Sequence, residues 1–215
     1  MPIRVLRRHR VPVSFCLLAL VALAASGCHS PEPAKFNQGL GASEDPTLIV
    51  PFSERVKNRL YGESAHGTFV AEALKNWARV EWRVDFDESE AVRRVLDSVR
   101  DRETDEELTM PEWQRLTQGL GVRYVVSGDI KKFQLRDPSQ IGLIAPSAAV
   151  SFRVVDVMNG RTVYATRDKE VRWSADPEKE VPMAFVGQDL QGVERRLLQR
   201  IAEEVGKDLY GYTKH

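Results

Sequence analysis

Ala148-Ala149-Val150-Ser151-Phe152-Arg153-Val154-Val155-Asp156-Val157-Met158-Asn159-Gly160-Arg161-Thr162-Val163-Tyr164-Ala165 is the stretch that decides the fold. Ala148, Val150, Phe152 and Val154 alternate with more polar neighbours, which is the period of a strand with one buried face. Asn159-Gly160 then separates this run from Thr162-Val163-Tyr164-Ala165. Asn-Gly between alternating runs is the strongest short hairpin signal, because both central residues of the tight turn need positive φ. An antiparallel hairpin anchors the rest of the reading.

Upstream, Val122 to Phe133 reads as a central strand. Tyr124, Val125 and Val126 are apolar on both faces, and Gly128 relieves crowding before polarity returns. Thr47-Leu48-Ile49-Val50-Pro51-Phe52 is a short apolar run broken by proline, as suits a buried strand leaving a sheet. Phe69, Val70, Ala73, Leu74 and Trp77 fall at helical spacing. Val80 to Phe86 alternates with Val80, Trp82, Val84 and Phe86 apolar, which predicts a half-buried strand with Trp82 in the core. Asp87 with Glu90 has the spacing to cap a helix carrying Ala91, Val92, Val95, Leu96 and Val99, and the charged run from Arg100 to Glu107 reads as a solvated loop.

Thr109-Met110-Pro111-Glu112 has capping-box spacing with proline in the first turn, so a short helix should carry Trp113, Leu116 and Leu120 and close at Gly119 or Gly121. At the C-terminal side Leu190, Val193, Leu197, Ile201, Val205 and Leu209 step by three or four along a long amphipathic helix. Strands interleaved with helices, then a hairpin and a closing helix, predict an α/β (α+β) domain. Its mixed sheet carries helices mainly on one face, with the last helix packed on the sheet.

The N-terminal region has a different character. Arg4, Arg7, Arg8 and Arg10 precede an apolar run from Val11 to Leu23, followed by Ala24, Ala25, Ser26, Gly27 and Cys28. Basic, apolar and small-residue zones in that order form an export signal. The apolar zone is shorter than the roughly 20 residues a spanning helix needs, so cleavage is expected rather than a retained span. Ala25-Ser26-Gly27-Cys28 resembles the lipobox of bacterial lipoproteins, with Ala25 where leucine is more usual. The other cysteine, Cys16, lies inside the apolar zone, so after cleavage Cys28 has no disulfide partner within the chain. The resemblance implies lipidation of Cys28 and a membrane-lipid partner. His29, where the enterobacterial sorting rule reads aspartate for inner-membrane retention, points to the outer membrane. The expected organisation is a signal peptide over 1–27, a flexible Pro- and Gly-containing tether over 28–46, and one domain over 47–215.

Without residues 1–27 the chain keeps 188 residues, with 27 basic and 31 acidic side chains. A mildly acidic domain of this size offers no electrostatic footprint for nucleic acid.

Three segments carry a family resemblance: Ile49-Val50-Pro51-Phe52, Leu120 to Ile130, and Arg153 to Tyr164. Together they resemble the TolB amino-terminal domain superfamily, which includes the curli secretion lipoprotein CsgG and lipoprotein activators of peptidoglycan synthases. The resemblance spans most of 47–212 and implies a non-enzymatic assembly, docking or activator module whose partner is another envelope protein, with self-association left open. A propeller is not expected, because no blade-length repeat follows the domain. A CsgG-like export pore is the rival reading. It requires two membrane hairpins of roughly 10 alternating residues per strand, and the candidate insertions, 134–147 and 175–188, are short and carry Pro138, Pro146, Pro177 and Pro182.

Chemistry finds few footholds. Ser64 and His66 have the residue types of a nucleophile and base, the basis for a second rival, a small envelope hydrolase. They sit at a helix entry where serine usually caps. Asp129 and Asp156 are the residue types of a glycosidase acid pair, in strand and turn contexts where carboxylates are common. There is no Cys/His spacing for a metal and no phosphate loop, so neither a metal nor a cofactor is expected. Ile141, Leu143 and Ile144, in an apolar stretch between strands, are candidate partner-binding residues if the stretch is exposed and core cover if it is folded down. Trp173 with Met183, Phe185 and Val186 poses the same choice.

Overall fold

The computed structural model describes residues 39–40, 45–54, 66–100, 107–136, 143–173, 183–184 and 190–211. The signal segment, Cys28, Ser64, the charged run over 101–106, Ile141, Phe185 and Val186 lie outside the described residues. The elements in order are β1 (Thr47–Ile49), β2 (Ser53–Glu54), α1 (His66–Trp82), α2 (Glu90–Arg100), α3 (Met110–Leu116), β3 (Tyr124–Arg136), β4 (Leu143–Asp156), β5 (Arg161–Arg172), β6 (Met183–Ala184) and α4 (Leu190–Tyr210). They form the expected α+β fold on a mixed sheet ordered β1-β3-β4-β5, with β2 also on β3 and β6 on β4. β1 and β2 run parallel to β3, whereas β3–β4, β4–β5 and β4–β6 are antiparallel.

β3 is central, as its two-faced apolar character predicts. Val126 and Ile130 enter one core with Val150, Phe152 and Val154, and there the long helices α1 and α4 pack. Val125 enters a second core with Leu48, Val50, Val155, Val92 of α2 and Trp113 of α3. The two long helices therefore share one face, while two shorter ones cover part of the other. All six residues of the predicted α4 stripe are buried, and each such side chain taken from water contributes about 1.5–3 kcal/mol.

α1 and α4 lie side by side in parallel. His66 meets Glu194 near their N-terminal ends, the Trp77 ring lies against Gly206, and Trp82 lies by Gly211 at their C-terminal ends. Only a residue without a Cβ lets the indole of Trp77 approach the α4 backbone this closely. Gly128 plays the same part for Phe52, whose ring occupies the space a Cβ would take.

The hairpin forms, but its turn differs from the expected two-residue type. Asp156 pairs with Arg161, leaving four residues, 157–160, in the turn, and Gly160 alone of them has positive φ, at 62°. The Asp156 carboxylate supplies the missing constraint, accepting the Asn159 backbone N–H at 3.0 Å and its side-chain amide at 2.7 Å. A side chain that closes the loop removes the need for a left-handed asparagine.

The strand expected over Val80 to Phe86 is corrected. α1 continues through Trp82, ends at Arg83 (φ 54°), and no strand follows. Trp82, Val84 and Phe86 pack on the core while Arg83 and Asp85 face out. The alternation records one-sided burial, which requires no neighbouring strand, and Val80 is 76% exposed.

The cap of α2 is also displaced. Ser89 Oγ accepts the Val92 N–H, and Asp87 holds Ser89 through its N–H and hydroxyl. At α3 the expected Thr109–Glu112 pair is present, with the Thr109 N–H and hydroxyl both donating to Glu112 Oε2 at 2.7 Å. That helix closes at Leu116, so Leu120 lies beyond it and packs on the second core. Part of the expected tether also belongs to the domain. Leu40 is buried in the main core, Asp45 pairs with Arg123 at 2.6 Å, and the Pro46 carbonyl accepts the N–H groups of Arg123 and Tyr124.

Gly128→Ala should overpack Phe52 and destabilise the domain by about 1–3 kcal/mol. Adding Phe52→Leu should recover part of that loss. Urea denaturation of the single and double variants measures both, and strictly additive losses would refute the contact.

Candidate functional site

The described residues bring together one buried group of ionisable side chains on three elements: Glu54 of β2, His66 at the start of α1 and Glu194 in the second turn of α4. β2 pairs with β3 at Ser53–Asp129 and Glu54–Ile130, which sets Glu54 beside the start of α1. The Gly67 N–H donates to Glu54 Oε1 at 2.8 Å, and the Phe52 N–H donates to the Gly67 carbonyl at 3.2 Å. Gly67 touches the Phe52 backbone so closely that no Cβ fits. β2, with the residue just before it, and the start of α1 are thereby locked together.

His66 is 4% exposed. Its Nε2 is 2.5 Å from Glu194 Oε1, its Nδ1 is 3.6 Å from Glu54 Oε2, and its ring stacks on Phe133 with centroids 4.5 Å apart. A carboxylate only accepts, so with Glu194 ionised the Nε2 carries the proton. Both carboxylates stand near helix N-termini, where the partial positive charge of unpaired N–H groups favours an anion. Two parallel helices set these like ends side by side, and the acidic side chains offset the repulsion.

This geometry can orient and hold an imidazole, but it does not present one. Both ring nitrogens face carboxylates and the ring is closed to solvent. Among the described residues no hydroxyl stands at hydrogen-bond distance from either nitrogen, as a serine-type mechanism requires. Sequence reasoning singled out His66 and missed both of its carboxylates. Glu194, between Val193 and the apolar position Leu197, is the one hint, a charged residue at the margin of a buried stripe.

The other candidates separate. Asp156 lies opposite Tyr124 and Asp129 stands five residues further along β3, a separation of about 17 Å at ~3.3 Å per residue. Glycosidase pairs need roughly 5–9.5 Å. Each carboxylate has a structural task instead. Asp129 accepts the Ser53 hydroxyl at 3.2 Å, and Asp156 closes the hairpin and lies 3.5 Å from Arg123. Burial pushes the Asp156 carboxyl up, but hydrogen bonds from the Asn159 side chain and backbone and the charge of Arg123 outweigh it, holding it below the ordinary value.

Ile144 is 0% exposed, so its assignment as a partner-binding residue is corrected: β4 begins at Leu143, placing Ile144 within the sheet opposite Arg136 and inside the main core. β3 also runs on to Arg136, so most of the insertion over 134–147 is strand. Leu143 pairs through its backbone with Ala184. Trp173 is half-buried, packs on the main core and lies 4.9 Å below the Arg196 guanidinium. Among the described residues no group of three or more His, Cys, Asp or Glu could hold a metal ion, and no helix is long and apolar enough to cross a membrane.

No protein-family model matches the chain, and no curated protein is similar to it. Among solved structures it is similar to the PelC dodecamer from Paraburkholderia phytofirmans, at 13% identity over 82% of this chain and 95% of that one, with a TM-score of 0.46. Lipoprotein GNA1162 from Neisseria meningitidis is similar at 14% identity over 76% and 99%, with a TM-score of 0.46. The LpoB C-terminal domain from Salmonella enterica is similar at 13% identity over 60% and 83%, with a TM-score of 0.39. At these values nothing about site or activity is carried over to this chain.

Two outcomes are expected at these carboxylates. Glu194→Ala leaves a buried imidazole without its hydrogen-bond partner and should cost about 1–3 kcal/mol, measured by chemical denaturation; an unchanged midpoint would show that the contact contributes nothing. For Asp156 the folded value is depressed, so its stabilisation is complete above the unfolded value near ~3.9 and is lost as pH falls through the folded value. The stability gap between the parent and Asp156→Asn should therefore be largest at neutral pH and close in acid, and a gap that widens in acid would contradict the sign.

Proposed function

We propose that this chain is a non-catalytic envelope lipoprotein, exported, cleaved before Cys28 and tethered through lipid on that cysteine to the outer membrane, with its domain facing the periplasm as a protein-docking or assembly module. The observation that carries the reading is Ala25-Ser26-Gly27-Cys28 directly after a basic and then an apolar segment, with no other cysteine beyond that segment. Several acyl chains at about 0.8 kcal/mol per buried methylene hold far more firmly than a single myristoyl chain. The non-catalytic part is supported by His66, the one histidine among the described residues, which is closed in between two carboxylates and a phenyl ring. The docking part is supported by the TolB-like segments at the strand ends and turns. The partners are membrane lipid through Cys28 and another envelope protein.

Cys28→Ser should move the protein from the membrane to the soluble fraction and remove the acyl mass from its N-terminal peptide, measured by fractionation and mass spectrometry. Unchanged fractionation would end the lipoprotein reading. Crosslinking in cells should recover an envelope protein with the parent and much less of it with Cys28→Ser. Recovery of none above background would end the docking reading.

A further inference from the structure

We propose that the end of the domain formed by the last turns of α1 and α4 lies against the lipid surface that holds Cys28, an inference that rests on the lipoprotein reading above. The place where the chain joins the domain carries it. Gly39 sits against the α4 terminus with φ 60°, where a Cβ would come within 2.8 Å of the Leu209 carbonyl oxygen and 3.2 Å of Tyr210. Leu40 follows directly into the main core at 3% exposure. The N-terminal chain is thus clipped to this end of the helix pair.

Gly39 stands eleven residues beyond Cys28. Even fully extended, that length reaches at most ~40 Å. A connection that short brings the clipped end closer to the bilayer on average than the opposite end.

What this end presents fits an interfacial contact. Val80, one of two large hydrophobic side chains exposed among the described residues, belongs to the last turn of α1 and is 76% exposed. Two residues on, Trp82 is half-buried beside Gly211 and Tyr210 with its indole nitrogen turned into the protein, so Val80 is the apolar side chain this end offers to a bilayer surface. Charge at this end is mixed, with Arg79, Arg83 and Lys207 among Glu81, Asp85 and Asp208. The surface therefore orients a domain that acyl chains hold and does not bind lipid by charge alone.

After cleavage Cys28 is the chain's own single cysteine and its sulfur is acylated, so Val80→Cys and Arg172→Cys each provide one free thiol for a fluorophore. Arg172 is exposed and adjoins Trp173, which lies under Arg196 in the N-terminal half of α4, at the opposite end of the helix pair. The lipidated proteins are reconstituted into vesicles of phosphatidylethanolamine and phosphatidylglycerol that carry nitroxide-headgroup lipid. Quenching at position 80 should exceed that at 172 by about threefold or more, as expected for side chains at and away from the interface. Equal quenching in protein that floats with the vesicles overturns the orientation and leaves the lipid anchor intact. Failure to float, with no acyl mass, removes the lipoprotein reading and the orientation together. Protection of the position-80 label in native membranes but not in pure-lipid vesicles assigns the surface to a protein partner and likewise overturns the proposal.

Discussion

β3 sends its side chains into two different cores, Val126 and Ile130 to one and Val125 to the other, and all three are fully buried. A strand apolar on both faces cannot be left with one face in water, so elements must cover each side. α1 and α4 close one face. α2, α3 and the segments around Leu108 and Val122 close the other. β1, β2 and β4 then satisfy the backbone groups of β3 along its edges. Placing β3 centrally fixes which residues of every neighbour turn inward.

Packing α1 and α4 in parallel brings two helix N-termini together, and at that junction the structure sets Glu54, His66 and Glu194. An imidazole there can donate an N–H hydrogen bond to Glu194 while its ring stacks on Phe133, so the group links elements that are distant in sequence. A buried histidine with a close carboxylate is also the beginning of a catalytic arrangement. The difference lies in access: here Nε2 is taken by Glu194, Nδ1 faces Glu54 at 3.6 Å, and the ring is closed to solvent.

Much of this was legible in the residues. The α4 stripe from Leu190 to Leu209, the central strand with Gly128 as its relief point, the Thr109–Glu112 cap and the hairpin around Gly160 all follow from local spacing. Where local spacing misled, a contact distant in sequence or a competing side chain had taken over. Val80 to Phe86 alternates because the core lies on one side of it, and periodicity does not reveal whether a strand stands alongside. Asn159-Gly160 signals a turn, but the Asp156 carboxylate determines how long that turn is. Ile144 reads as part of an apolar stretch between strands, yet β4 pairs on both sides of Pro146, with Ile144 opposite Arg136 and Ser147 opposite Gln134.

By itself the sequence determined the basic, apolar and small-residue order that ends at Cys28, the α+β composition and which helix faces are apolar, because these depend on residues within a few positions of one another. The tertiary structure alone decided that Leu40 belongs to the core, that Asp129 and Asp156 lie too far apart to act together, and that His66 meets Glu54 and Glu194. Those outcomes depend on strand register and on helices packed more than a hundred residues apart, and no short-range periodicity encodes such distances.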